Sequence, residues 1–181
     1  MTRISICDIP VDSLTMQETI GLIDNAIVAR KPIHHVVINA AKVVNAQKDN
    51  DLKESIVNCD IINADGQAIV WASRFLNRGL PERVAGIDIM ANLVKLAAEK
   101  KYRIFFLGAR EEVVTKVVDT YTKEYGKEII AGYRNGWACG RSSHQDLNPC
   151  ALGSSCKRGI FTKCQYTLLI ALLLSLSSVP E

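Results

Sequence analysis

The sequence lacks the patterns that mark several common protein classes. Its formal net charge is only +3 and no basic run is interleaved with aromatic residues, so nucleic acid is not expected as a partner. The N-terminus has no apolar segment of the signal-peptide type, which argues against secretion. Neither a three-glycine dinucleotide fingerprint nor a nucleophile elbow is present. The chain has 181 residues, of which 48% are hydrophobic and 23% are charged. This length and composition are typical of one globular domain with a substantial core.

The cysteines also lack the spacing of a metal site. No two of the six form a C-x-x-C pair. Cys7 and Cys59 lie in apolar, strand-like segments, where a buried free thiol is common. The other four follow residue 137: Cys139, Cys150, Cys156 and Cys164. We therefore expect neither bound zinc nor a disulfide framework.

Strand-like and helix-like segments alternate over residues 1–136. Strands are predicted at 3–9, 36–38, 59–63, 102–107 and 128–133, and helices at 15–30, 40–47, 51–57, 67–76, 88–100 and 110–125. Thr15 and Glu18 have the spacing of a capping box, and Asp88 is suited to cap the helix that follows it. This alternation predicts an α/β fold with a mainly parallel sheet covered on both sides.

The character of the sequence changes at about Trp137. Residues 137–181 contain two acidic residues, four cysteines and no convincing amphipathic helix. Their apolar run at 166–176 is roughly half the length that a bilayer-spanning helix needs. The run is compatible with weak membrane anchoring, but a poorly packed apolar tail is the simpler interpretation.

The segment Asn63-Ala64-Asp65-Gly66-Gln67 contains the strongest catalytic candidate. It places an acid where a strand gives way to a helix, and ligands collect at the carboxyl ends of strands in α/β proteins. Asp65 is suited to accept a proton from a substrate hydroxyl, and equally suited to cap the helix at Gln67. Asn39 ends the preceding strand; it would face the same crevice if the two strands are neighbours, or cap the next helix.

Two later positions suggest phosphate recognition. The guanidinium of Arg83, in a loop after Pro81, could clamp a diphosphate through paired hydrogen bonds. Its alternative role is an exposed ion pair with Glu82 or Asp88. Gly108 lies between a strand and a helix and would let backbone amides approach a phosphate, although a single glycine is a weak signal.

Two further motifs are better explained by structural roles. Asp49-Asn50-Asp51 has the D-x-D form of metal-dependent sugar transferases, but it lies at a helix start, where acids serve as caps. His34 and His35 enter an apolar strand with no cysteine or acid at ligand spacing. We expect a partly buried structural role for this pair.

In combination, these segments resemble the WecG/TagA/CpsF glycosyltransferase family. The resemblance rests on motifs in the family's order and spacing, at Asn39–Val44, Ala64–Gly66, Pro81–Asp88, Phe105–Gly108 and Gly132–Gly136. The family transfers N-acetylmannosamine, or a related sugar, from a UDP-sugar to an undecaprenyl-diphosphate-linked acceptor for teichoic acid, enterobacterial antigen, capsule or exopolysaccharide. The resemblance implies a Rossmann-like three-layer α/β/α fold and a metal-independent, inverting hexosyltransferase without cofactor. It also implies a cytoplasmic enzyme with peripheral contact at the inner face of the cell membrane, and is compatible with a homo-oligomer.

The resemblance also assigns roles to individual residues. Asp65 corresponds to the family's proposed general base, Asn39 to a substrate-binding position, and Arg83 to the basic residue near the leaving diphosphate. Gly86 and Asp88 belong to the same motif as Arg83, with less defined roles. The predicted substrate-binding set is Asn39, Gly66, Gln67, Arg83, Gly86, Asp88 and Gly108.

The sequence departs from the family pattern in two places. Val37 stands where many members have a threonine two residues before the asparagine, so one polar contact is missing. After Gly136 the family's usual continuation, including a basic tail that meets the membrane, is absent, as a shifted reading frame or a truncated gene would give. We therefore expect a glycosyltransferase domain at 1–136 and an atypical tail outside the family fold at 137–181. The alternative to an active enzyme is an inactive remnant or a non-catalytic nucleotide-sugar binding module.

Overall fold

The computed structural model describes residues 2–135 and the backbone of residues 169–172. The elements are β1 (Arg3–Ile6), β2 (Ile9–Asp12), α1 (Met16–Val28), β3 (His35–Ile38), α2 (Ala40–Ala46), α3 (Asn50–Val57), β4 (Ile61–Ala64), α4 (Gln67–Phe75), α5 (Gly86–Lys100), β5 (Ile104–Leu107), α6 (Glu111–Tyr125), a 3-10 turn (Lys127–Ile129), β6 (Ile130–Arg134) and β7 (Leu169–Leu172). Helices alternate with parallel strands, which confirms the predicted α/β class. The chain divides into two compact units, Met1–Ala91 and the residues from Asn92 onward.

The first unit is built on two short strand pairs. β3 and β4 run parallel, with Ile38 opposite Ala64, and β1 and β2 form an antiparallel hairpin. Its core includes the fully buried side chains of Ile9, Ile38 and Ile62. Because Ile38 and Ala64 end their strands together, the residues that follow them leave the sheet at the same edge.

The hairpin corrects the single strand predicted at 3–9. The chain reverses at Cys7 and Asp8, whose φ angles are +50° and +58°. Two successive left-handed residues match the twist of a two-residue hairpin turn. Cysteine is not a usual turn residue, so the apolar alternation concealed the reversal. Cys7 is consequently exposed, contrary to the prediction, whereas Cys59 is buried as predicted.

The start of α1 is held by the predicted capping box and by one distant residue. Thr15 Oγ1 accepts from the Glu18 amide at 3.2 Å, and Glu18 Oε2 accepts from the Thr15 amide at 2.8 Å. In addition, Glu82 Oε1 accepts from the Met16 amide at 2.6 Å. The loop that precedes α5 is therefore attached to the start of α1.

The predicted N-cap of α5 is wrong. The Ala85 carbonyl accepts from the amides of both Asp88 and Ile89, at 3.1 and 3.0 Å. Helical hydrogen bonding therefore begins before Asp88, which lies in the first turn of α5. An acid is favourable there because of the helix dipole, which explains why the sequence pattern resembled a cap.

In the second unit, β5 pairs in parallel with β6 and antiparallel with β7. Ile104, Phe106 and Val114 are fully buried, and the ring of Tyr121 stacks on that of Phe106 with centroids 5.9 Å apart. Four residues of the apolar C-terminal run thus belong to a sheet and are not the irregular segment expected. The other residues of that run and the four C-terminal cysteines lie outside the described residues, and the domain boundary near 136 stays a prediction.

Across residues 2–135, no helix has the length and apolar character that crossing a membrane requires.

Candidate functional site

Asn39 and Asp65 lie side by side where β3 and β4 end. The Ile38 carbonyl accepts from the Asp65 amide at 2.7 Å, continuing the parallel pairing by one step. The prediction that the two residues share one edge is confirmed. Asn39 also fills its alternative role, because its Oδ1 caps α2 by accepting from the Lys42 amide at 2.9 Å.

The Asp65 carboxylate does not cap the helix that follows it. Gly66 occupies the N-cap of α4, and no side chain caps that helix. Instead, Asp65 Oδ2 accepts from the amide of Gly86, the first residue of α5, at 3.2 Å. Oδ1 has no hydrogen-bond partner within the described part of the chain. One oxygen of the carboxylate is thus held by the backbone of α5.

Three hydrogen bonds hold the loop before α5, one to the start of α1 and two to the end of β4. Glu82 holds the start of α1, the Val84 amide donates to the Ala64 carbonyl at 2.9 Å, and the Gly86 amide donates to Asp65. Arg83 lies between the first two of these attachments. The loop is therefore fixed beside the catalytic candidate even though its three attachment points follow Asp65 by seventeen to twenty-one residues in the sequence.

Arg83 is tethered only weakly. Its Nη2 lies 3.7 Å from Asp88 Oδ2, and the two side chains are 47% and 57% exposed. An exposed ion pair of this length contributes little to stability. The guanidinium can therefore exchange this contact for an anionic ligand at small cost.

Two glycines allow the backbone to close around Asp65. Gly66 has a φ of +143°, and a Cβ there would lie 3.6 Å from Asn39 Cβ. A Cβ on Gly86 would lie 3.1 Å from Val37 Cγ2 and 3.7 Å from Asp65 Oδ2. Val37, at the position where the family often has threonine, thus packs against the first residue of α5.

Gly66→Ala is expected to lower the free energy of unfolding by about 1–3 kcal/mol, because alanine is strained at this φ. Gly21→Ala is a matched control, since nothing lies within 4 Å of a Cβ in that helical position. The control should stabilise the protein by about 0.5–1 kcal/mol. Urea denaturation measures both, and equal effects of the two substitutions would contradict the strain argument.

Lys42 is a site residue to which the sequence patterns assigned no role. Its Nζ donates to the Val37 carbonyl at 2.8 Å, at the same end of β3 as Asn39. Among the described residues it forms no salt bridge, so the positive charge has a hydrogen-bond acceptor but no neighbouring carboxylate paired with it. The three-residue spacing from a capping Asn39 was the available signal, because it places Lys42 in the first turn of α2.

A buried polar chain lies behind the site. Asn63 is fully buried; its Oδ1 accepts from His35 Nε2 at 2.9 Å, and its Nδ2 donates to Thr19 Oγ1 at 3.0 Å. Thr19 Oγ1 in turn donates to the Thr15 carbonyl at 2.9 Å. Since Asn63 Nδ2 is used as a donor, this network assigns the proton of neutral His35 to Nε2. The predicted partly buried, structural role is confirmed for His35, whereas it is wrong for His34, whose side chain is exposed.

The free energy of unfolding is expected to decrease as the pH is lowered, because of His35. Burial lowers the pKa of His35 below its usual value of 6.5, although the bond to Asn63 raises it in part. The unfolded chain therefore binds the proton more readily, and the stabilisation present above about pH 6.5 is lost as pH falls toward the folded-state pKa. Urea midpoints between about pH 7.5 and 5.5 should fall less in His35→Gln than in the wild type. His34→Gln, at the exposed neighbour, is the control and should retain the wild-type slope.

Two further predicted binding residues are Gln67, at the start of α4, and Gly108, three residues before α6. Gln67 is the exposed first residue of α4. Gly108, in the second unit, follows β5 with a φ of +126°, and its amide donates to the Arg134 carbonyl at 3.0 Å. The roles of both in binding stay predictions.

The D-x-D motif has the structural role that the sequence favoured. Asp49 Oδ1 accepts from the Leu52 amide at 3.1 Å and caps α3. Within residues 2–135, no three His, Cys, Asp or Glu side chains gather closely enough to form a metal site.

Comparison with known families identifies the class of protein. The model of the glycosyl transferase WecG/TagA/CpsF family matches residues 4–150, so the chain belongs to this family. The match extends past residue 136, where the sequence patterns placed the end of the family-like region.

Curated relatives are similar over part of their length. The N-acetylglucosaminyldiphosphoundecaprenol N-acetyl-beta-D-mannosaminyltransferase of Bacillus subtilis (strain 168) is 35% identical over 105 residues, which are 58% of this chain and 41% of the relative. The protein of the same name from Staphylococcus aureus (strain NCTC 8325) is 27% identical over 114 residues, 62% of this chain and 45% of the relative. The chain spans less than half the length of these relatives.

Proposed function

We propose that this chain carries the catalytic base, Asp65, and part of the substrate site of a sugar transferase. The reaction moves an N-acetylhexosamine of the N-acetylmannosamine type from a UDP-sugar to a polyprenyl-diphosphate-linked acceptor, in the synthesis of teichoic acid or a related cell-surface polysaccharide. Family membership and the names of the relatives support this proposal. The observation that carries it is the Asp65 carboxylate, held at one oxygen by the Gly86 amide at the common end of β3 and β4.

In the proposed reaction, the acceptor hydroxyl attacks the anomeric carbon from the side opposite the diphosphate. Asp65 Oδ1 takes the hydroxyl proton as the new carbon–oxygen bond forms. The bond to the diphosphate breaks, and UDP departs with the bonding electron pair. Attack opposite the leaving group inverts the anomeric centre, and Arg83 offsets the charge on the diphosphate without a metal.

The neighbouring groups have the chemistry to hold the substrates. Asn39 uses its Oδ1 to cap α2, which leaves the Nδ2 group to donate to a sugar hydroxyl or acetamide oxygen. Lys42 adds a positive charge at the same end of β3. Gly66 and Gly86 keep the backbone close to Asp65 without obstructing it. Gln67 and Asp88, at the starts of α4 and α5, complete the proposed binding set in this unit.

A transfer assay tests the function. Radiolabelled UDP-N-acetylmannosamine and a lipid-linked N-acetylglucosamine acceptor should give a labelled lipid product, whereas UDP-glucose should not replace the donor. Product formed equally well in EDTA would agree with the metal-independent reaction. Binding of UDP without any transfer would contradict the proposal and favour a non-catalytic binding module.

The lipid anchor of the proposed acceptor also indicates where in the cell the enzyme would act. A polyprenyl diphosphate is anchored in a bilayer, so the enzyme would act in the cytoplasm as a peripheral protein at the inner face of the cell membrane.

A further inference from the structure

Helix α4 exposes two large aromatic side chains, one at its centre and one at its last residue. Trp71 is 64% exposed and Phe75 is 89% exposed, one helical turn apart. The opposite side of the helix packs into the core through Ile69 and Val70. The helix is therefore apolar on both sides, whereas a surface helix normally presents polar residues to water.

The apolar surface continues past the end of the helix and is basic at its margin. Leu76 is 49% exposed immediately after Phe75. The stretch 67–80 contains two arginines, Arg74 and Arg78, and no acidic residue. Exposed aromatic residues beside arginines are characteristic of segments that lie in the interface of a bilayer with anionic lipids.

The same helix starts at the candidate active site. Gln67, its first residue, follows Asp65 by two positions, and Trp71 is one turn further along. The exposed side of α4 therefore begins within about one helical pitch, roughly 5 Å, of the site's edge. A surface that contacted lipid here would bring the catalytic acid close to the headgroup layer.

We propose that the α4 surface, formed by Trp71, Arg74, Phe75, Leu76 and Arg78, docks on an anionic lipid bilayer. The inference rests on the proposed function, since a polyprenyl-linked acceptor presents its diphosphate at the headgroup level. The aromatic side chains enter the interface, and Arg74 pairs with lipid phosphates. Arg78 Nη1 donates to the Ser5 carbonyl at 3.3 Å, so Arg78 contributes through its remaining guanidinium donors. The surface thereby presents the site to a lipid-anchored acceptor.

Charge argues against a second copy of the chain as the occupant. In a two-fold contact, the α4 surface would meet itself, and Arg74 would approach the same basic surface on the other copy. The stretch 67–80 has no acid to compensate. A lipid surface of opposite charge has no such cost.

Vesicle binding by the full chain tests the proposal. Cosedimentation is measured with phosphatidylcholine vesicles, with and without phosphatidylglycerol. The wild type should bind the anionic vesicles, and Trp71→Gln with Phe75→Gln should weaken binding about tenfold or more. The matched control is Val28→Gln with Val44→Gln, at positions 69% and 54% exposed on α1 and α2, which should bind as the wild type does. Arg74→Gln should weaken binding to the anionic vesicles and reduce its salt dependence.

Two further measurements separate this proposal from the proposed function. The double variant Trp71→Gln with Phe75→Gln, called the α4 variant below, should lose transfer to an acceptor embedded in vesicles. It should keep transfer to a short-chain, water-soluble acceptor. If the wild type transfers to neither acceptor, the proposed function fails, while vesicle binding still decides the docking surface. Wild-type binding of the α4 variant to anionic vesicles would overturn the docking proposal. So would a concentration-dependent dimer that this variant abolishes, because it would identify a second copy as the occupant.

Discussion

Asp65→Asn is expected to reduce sugar transfer by about 10²- to 10⁴-fold, the usual contribution of a general base. Asparagine has nearly the same shape, and its carbonyl oxygen can still accept from the Gly86 amide, which holds the native carboxylate at 3.2 Å. It cannot take up the acceptor's proton. Initial rates with radiolabelled donor measure the loss, and UDP affinity measured by calorimetry should stay within about threefold of the wild type.

Two companion variants make this result specific. Asp119→Asn removes an exposed carboxylate from α6 and should leave the rate unchanged. Asp65→Ala removes the acceptor of the Gly86 amide as well, so it should lower the rate at least as much as Asp65→Asn. Wild-type turnover in Asp65→Asn would refute the assignment of the base, whatever the result with alanine.

Asp12→Ala is expected to cost about 2–3 kcal/mol of the free energy of unfolding, because the buried Ile62 amide loses a charged acceptor while Arg3 is partly exposed to water. Asp12 is 1% exposed, and its Oδ1 accepts from Arg3 Nε at 2.7 Å. Its Oδ2 accepts from Arg3 Nη2 at 3.0 Å and from the Ile62 amide at 2.8 Å. Alanine leaves the Ile62 amide in β4 without this acceptor and removes one link between the hairpin and β4, whereas the bond from Arg3 to the Asp60 carbonyl remains. Urea denaturation measures the change.

An exposed ion pair provides the control for Asp12. Lys53 Nζ lies 3.9 Å from Asp8 Oδ2, and the Asp8 side chain is 84% exposed. Lys53→Met keeps the aliphatic stem, removes the charge and should cost less than about 1 kcal/mol. Similar losses of the free energy of unfolding in Asp12→Ala and Lys53→Met would show that the burial of Asp12 does not determine how much its contacts stabilise the protein.

Local sequence signals were sufficient for most of the helices and strands. The capping box of Thr15 and Glu18 is visible as a pattern because both partners lie within four residues. The hairpin at Cys7 was missed because its turn requires positive φ angles at Cys7 and Asp8, and the pair Cys-Asp is not a sequence signal for such a turn. The first strand therefore looked longer than it is.

The site was predictable only as far as strand order could be inferred. Asn39 and Asp65 each end an apolar run, and parallel pairing was enough to place them together. Whether Asp65 caps α4 could not be decided locally, because the contact that its carboxylate makes is with Gly86, twenty-one residues away. The spacing of Lys42 from the capping Asn39 predicts its place in the first turn of α2, but its contact with the Val37 carbonyl could not be inferred from that spacing.

The loop attachments around Asp65 also have a consequence for the order of assembly during synthesis. Every contact described for its carboxylate and amide comes from Ile38 or Gly86, and both lie in the unit Met1–Ala91. Domains fold progressively from the N-terminus as the chain emerges from the ribosome. The acid can therefore take its final position once the first turn of α5 has emerged, while the strands that follow are still being translated.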